Sequence, residues 1–358
     1  MTRAALTAAQ GNNFDVMRLL AAWLVLFSHS YHLTGAGVAE PLLQMTAGKI
    51  TFGTLAVGVF FSISGYLITA SAYARDSFLS FLTARARRIF PALVVAVLLS
   101  AFVLGPCMSA LTPARYAAEP AVFTYVLRNI TLFKLQYDLP GVFGSNPHGA
   151  AVNGSLWTLP VEFALYLAVG GAVFALRVLG WERRVVLASL ALAAVCLVCW
   201  YAVLHGSKSG AALLVPYFML GAAFRLWRRQ LPLHGAAAAA LVALLALAAV
   251  ADWTLFPVLA GVAISYAALW LARHPRWVVP FPAGCIGDLS YGLYLFAFPV
   301  QQSIVALRPD MAPLTLCLLA TLVALPLAWL TWHGVEQRFV RARAGGVVAP
   351  ARAPGTRA

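Results

Sequence analysis

The sequence predicts an all-α fold: a polytopic membrane helix bundle of about ten transmembrane helices with both termini cytoplasmic. Three observations carry that expectation. Hydrophobic residues make up 62% of the 358-residue chain and charged residues 10%, against roughly 25% charged in soluble domains, and the mean hydropathy is +0.85. Apolar runs recur at the length of about 20 residues that a bilayer core of about 30 Å demands. Placed alternately from an inside N-terminus, those runs leave 19 of the 25 Lys and Arg residues on one side and six on the other, the asymmetry that orients membrane proteins. The net charge of +14 therefore reads as membrane topology rather than nucleic-acid binding.

Taken in order, span one covers about 14–34 and is stopped by Thr34-Gly35-Ala36-Gly37. Span two covers about 50–72, where Gly53, Gly58 and Gly65 are expected points of close helix packing. A basic cluster (Arg75, Arg85, Arg87, Arg88) marks the inner side, and span three follows Pro91 to about Leu111. Residues 112–153 form the longest polar connection, ending rich in Gly, Pro and Asn. Spans four to six are expected at about 155–176, 185–204 and 211–226, spans seven and eight at 235–251 and 254–271, and spans nine and ten at about 288–307 and 313–332. Residues 1–345 thus read as one integral-membrane domain, followed by a disordered basic tail at 346–358. Met1 to Gln10 has one Arg and no apolar core, so no secretory signal is expected. The five Cys (107, 196, 199, 285, 317) lie mostly in apolar runs, and Cys196-x-x-Cys199 lacks a second pair or a nearby His, so neither a metal nor a redox role is expected.

Span one carries the polar groups hardest to explain as anchoring. Arg18 and His29 are eleven residues apart, about three full turns, so they share a face roughly 16 Å apart along the axis. Asp15 lies one turn before Arg18 and is expected to pair with it. Charges facing lipid cost several kcal/mol, so this face should look into protein or a wet cavity. His29 reads as a general base near neutral pH, or as a buried ring bonded to a carbonyl; His32, nearer the end, reads as interfacial. Glu162, in Gly154-Ser155-Leu156-Trp157-Thr158-Leu159-Pro160-Val161-Glu162, enters span four to roughly 10 Å, near the depth expected for His29. It is expected to orient that ring, or to serve as a structural partner for an Arg or a backbone donor. Arg85 and Arg88 share a helix face and suit phosphates, though from these residues alone plain positive-inside anchoring is the favoured reading. Asp288 and Ser290 read as caps opening span nine, and Tyr291 and Tyr294 as an interfacial belt. Asn129-Ile130-Thr131 and Asn153-Gly154-Ser155 match glycosylation acceptors, a pattern too short to count.

Together these stretches resemble the membrane-bound acyltransferase family 3, bacterial O-acyltransferases of surface glycans. Asp15-x-x-Arg18 with His29 resembles the first-helix signature of that family, and Phe60-Phe61-Ser62-Ile63-Ser64-Gly65-Tyr66 its second-helix Ser-Gly segment. Arg85-x-x-Arg88 resembles its acyl-CoA-binding pair. Gly154 to Glu162, and Gly287-Asp288-x-Ser290-Tyr291-Gly292-x-Tyr294, are also similar. The resemblance implies a stand-alone form, without a fused extracytoplasmic domain, in the bacterial cytoplasmic (inner) membrane. It implies an acyl group, acetyl above all, passed from cytoplasmic acyl-CoA, the donor substrate, to a hydroxyl of a glycan or lipid-linked sugar. Membrane lipids and glycan-assembly proteins would be the partners, with no metal and no nucleic acid. Arg85 and Arg88 would hold the CoA phosphates, and Asp15 would neutralise Arg18. His29, oriented by Glu162, would deprotonate the acceptor, directly or through an acyl-enzyme. The competing expectation is a transporter or flippase for a glycan or small polar solute, using Asp15, Arg18 and His29 as a proton relay.

Overall fold

The computed structural model describes residues 12–181, 183–205, 210–274, 278–279 and 287–341. Those residues form helices joined by turns and loops, with only two isolated β-bridges among them. The first helix, α1, runs Phe14–Leu33, and a short α2 (Pro41–Met45) leads into α3, Phe52–Tyr73. Glu40 braces that turn: its carboxylate accepts from the backbone N–H of Leu43 and of Phe52, the first an N-cap bond that satisfies an orphan donor.

Next, α4 begins at Phe78, capped by Ser77, and runs through Pro91 to Leu99; a π turn (Ser100–Leu104) and one further turn carry it to Met108. The expected third span therefore starts thirteen residues early, and Arg85, Arg87 and Arg88 stand on a helix rather than in a loop. Pro91 removes one ladder N–H, but Ala92, Leu93, Ala96 and Val97 are buried beyond it and hold the helix together by packing. The connection at 112–153 carries α5 (Pro113–Ala118) and α6 (Pro120–Thr131). Both glycosylation-type asparagines are buried: the Asn129 amide donates to the Gln136 carbonyl and that of Asn153 to the Leu295 carbonyl.

A 3-10 turn, Gly154–Trp157, opens α7, Thr158–Leu179. Then come α8 (Arg183–His205), α9 (Gly210–Leu226), α10 (Gly235–Val250) and α11 (Phe256–Arg273). The chain ends in α12 (Ser290–Leu307), α13 (Pro313–Thr331) with a π turn at Trp332–Glu336, and α14 (Gln337–Arg341). The tail at 346–358, Cys285 and the side chain of Cys199 lie outside the described residues. Among the described residues, five helical stretches are long and apolar enough to cross a membrane: Phe52–Tyr73, Phe78–Met108, Gly154–Leu179, Phe256–Arg273 and Pro313–Val340. The charged and imidazole residues of α1 dilute its hydropathy, which is why a 20-residue helix is not among them.

The hub is α3, packed against α1, α4, α7, α9 and α11. Small residues allow the approach, as lipid-embedded helices require. A Cβ on Gly65 would overlap the Phe218 carbonyl oxygen of α9, and one on Gly221 would overlap that of Ser62. Gly58 lies under the Tyr217 ring, 2.8 Å from a would-be Cβ, and Gly53 lies against Ser28, 3.0 Å away. All three glycines expected to be packing points are therefore packing points. On its other side α1 packs against α12 and α13, where the Gln301 amide donates to the Leu26 carbonyl and to Ser30.

Candidate active site

The face of α1 that carries Arg18 and His29 looks inward, as the eleven-residue spacing demands, but its two ends open into different cavities. The first, about 280 Å³, is lined by Arg18, Ser64, Arg85, Arg88, Glu162 and Tyr166, among others. The second, about 390 Å³, is lined by Ser28, His29, His32, His148, Ser155 and Phe298, among others. Val57 and Tyr294 belong to both linings. A third space, about 530 Å³, adjoins the first through Arg85 and Arg88 and is walled by Arg75, Ser80, Arg87 and Phe339.

In the first cavity the charges are sorted by one carboxylate. Oδ2 of Asp288 accepts from Arg18 at 2.8 Å and from Arg88 at 2.5 Å, while its Oδ1 accepts from the Ser290 backbone N–H and hydroxyl at the start of α12. Arg88 also donates to Glu336 at 2.8 Å and lies over the Tyr291 and Trp332 rings. Gly287 makes room for this: it adopts φ +85°, and a Cβ there would overlap the Trp332 ring. Asp15 is not the partner of Arg18; it is exposed, and no ion pair joins the two. Exposed pairs are worth little, whereas a carboxylate shared by two partly buried guanidiniums is anchored by both. Arg88 is thereby committed to protein carboxyl groups. Arg85 is not: its Nε is buried with no hydrogen-bond partner among the described residues.

Glu162 also departs from expectation. Its Oε1 accepts from Ser64 at 3.0 Å and, through a short bond, from the Tyr166 hydroxyl. It faces Arg85 in the first cavity, not His29 in the second. The 3-10 entry at Gly154–Trp157 adds about 0.5 Å at each of four residues, so Glu162 lies about 2 Å deeper than a plain helix would carry it.

His29 packs edge-on against Phe298, ring centroids 5.2 Å apart, and its Nδ1 is buried without a partner among the described residues. His32 does have one, the Ser28 carbonyl at 3.0 Å from its Nδ1. His148, from the loop before α7, packs on the same Phe298 ring at 5.9 Å; burial, and then His32, push it below the ordinary imidazole value. Gly154 permits this crowding, since a Cβ would lie 2.6 Å from the Phe298 ring. Tyr291 and Tyr294 do not form a belt. Tyr291 bonds the Ile89 carbonyl at 2.9 Å, and Tyr294 is buried between the cavities. Among the described residues no group of three His, Cys, Asp or Glu could hold a metal ion.

Glu336, His148 and the Ser64–Tyr166 clasp were not legible in the sequence. Glu336 follows an apolar span in a basic terminus, His148 sits in a loop, and Ser64 and Tyr166 look like ordinary span residues. Two signals were available: the Ser-Gly pair at 64–65 and the four-residue spacing of Glu162 and Tyr166 on one helix.

Residues 12–333 match the family model described as an acyltransferase domain, of the acyltransferase 3 type. This chain belongs to the acyltransferase 3 family. It is 32% identical to the O-acetyl transferase of Shigella phage Sf6 over 352 residues, covering 92% of this chain and 96% of that protein. It is 34% identical to Nodulation protein 10 of Rhizobium leguminosarum bv. viciae over 164 residues, 44% of this chain and 43% of that one. No solved structure matches. The protein is thus an O-acyltransferase of the membrane.

Proposed function

We propose that this acyltransferase carries an acyl group, acetyl in the simplest case, from cytoplasmic acyl-CoA to a hydroxyl of a cell-surface or exported glycan. The observation that carries the reading is the pair of cavities meeting at Tyr294: the Arg85 Nε of one and the His29 Nδ1 of the other are buried without a partner among the described residues. In this reading the chain is a bundle of about ten spans in the bacterial inner membrane, its termini inside. The basic space beside Arg75 and Arg87 takes the CoA phosphates, with Arg85 reaching them from the first cavity. Arg88 and Asp288 hold the floor of that cavity rather than the donor. Glu162 fixes Ser64 and Tyr166 opposite Arg85.

The acceptor enters the second cavity, where His29 meets it. The imidazole takes the hydroxyl proton as the oxygen attacks the thioester carbonyl. The C–S bond breaks, and the CoA sulfur leaves with the proton returned by the ring. His29→Ala cells with normal protein levels are expected to lose ester-linked acyl groups from their surface glycan, read by mass spectrometry. Unchanged acylation would falsify the assignment.

A further inference from the structure

We propose that Tyr294 is a movable septum between the two cavities, which must swing aside for an acyl group to pass. The idea rests on the transfer reading above and adds the residue that controls passage. The argument begins with connectivity: of the residues lining the Arg85 cavity and the His29 cavity, Val57 and Tyr294 are common to both. Val57 comes from α3 and Tyr294 from α12, so the wall is one aromatic ring closing against one small aliphatic side chain.

The ring is pinned at its tip. The Tyr294 hydroxyl donates to the Ser155 carbonyl at 2.8 Å and pairs with the Thr158 hydroxyl at 2.7 Å. Those partners straddle the entry turn of α7: Ser155 lines the His29 cavity and Thr158 the Arg85 cavity. Beyond those bonds the ring is held by apolar packing alone. It makes no ion pair among the described residues, and its aromatic neighbour Phe60 is tilted at 6.2 Å. Open volume on both faces gives the ring room to rotate about its first side-chain torsion. The buried Ser155 hydroxyl, without a partner among the described residues, offers the swung phenol a second bond on the His29 side. Closed, the septum keeps water of the His29 cavity from a thioester waiting at Arg85. Open, it brings thioester carbon and imidazole into one space.

The test separates the septum from the chemistry. Ser28 lines the His29 cavity; in a chain whose own cysteines are replaced, Ser28→Cys is the reporter, in sealed vesicles of known orientation. A small, charged, membrane-impermeant thiol reagent is added on the Arg85 side. With Tyr294 present, labelling from that side is expected to be slow. Tyr294→Phe, which keeps the ring and loses both bonds, is expected to speed it at least tenfold, and Tyr294→Ala further. Fast labelling with Tyr294 intact, or none with either variant, overturns the septum. Labelling raised by Tyr294→Ala alone overturns its mobility, leaving a fixed wall. In parallel, CoA release from acetyl-CoA without acceptor is expected to rise in Tyr294→Phe; raised labelling with CoA release that is measurable but no faster than in the native chain overturns the role in acyl passage. If labelling rises but no variant nor the native chain ever releases CoA from acetyl-CoA, the septum stands and the donor assignment falls.

Discussion

Asp288→Asn is the sharpest probe of the charge arrangement. The Arg18, Arg88, Asp288 and Glu336 side chains are 21%, 19%, 17% and 1% exposed, with two guanidiniums facing two carboxyl groups. Replacing Asp288 leaves two guanidiniums to one carboxyl and strands Arg18, whose single ion pair among the described residues is with Asp288. Breaking a buried pair from one side costs about 3–5 kcal/mol. Because Arg18, Arg88 and Asp288 keep roughly a fifth of their surface, about 2–4 kcal/mol is the better expectation, measured by SDS-induced unfolding from mixed micelles. Asp15→Asn is the internal control. Its side chain is exposed, so its effect should stay within about 0.5 kcal/mol. Adding Arg18→Gln to Asp288→Asn should recover part of the loss, with a coupling of about 0.5–3 kcal/mol. If Asp288→Asn and Asp15→Asn unfold alike, the Arg18–Asp288–Arg88 network is not what holds α1 to α12.

Three other outcomes are expected. Gly65→Ala should abolish stable expression, since its methyl would overlap the Phe218 carbonyl; Gly171→Ala, with nothing within 4 Å, should be neutral or gain up to about 1 kcal/mol of helix propensity, and equal behaviour in a thermal-stability assay would refute the packing argument. Arg85→Ala should weaken acetyl-CoA binding by calorimetry, by about 1.5–3 kcal/mol for a lost charged hydrogen bond, while leaving the unfolding midpoint nearly unchanged; an unaltered affinity would remove Arg85 from the donor site. His148 binds its proton less readily folded than at its ordinary value of 6.5, so the unfolded chain takes up more protons below that pH. Its contribution is complete above pH 6.5 and is lost as pH falls through that value, so His148→Gln should shrink the gap in unfolding midpoint between pH 7.5 and pH 5.5.

Helix positions were legible because lipid leaves the backbone few alternatives: a run of about 20 apolar residues must satisfy its own hydrogen bonds. The boundary that went wrong, α4, went wrong because Arg85 to Pro91 looks like an interruption, whereas buried packing on either side of Pro91 carries the helix through. The glycines of α3 were readable because only contact with another helix explains small residues on an apolar face.

From residues alone came the membrane bundle, the inward face shared by Arg18 and His29, and the family to which the chain belongs. Partnerships were beyond its reach. That Arg18 meets Asp288, 270 positions away, rather than Asp15 one turn off, depends on which carboxylate the fold buries beside a second guanidinium. That Glu162 accepts from Ser64, 98 positions away, rather than serving His29 depends on which helix docks beside it. Periodicity specifies the direction and height of a side chain on its own helix. Which group stands opposite is decided by how independent helices dock, and that docking placed Tyr294 between the two cavities.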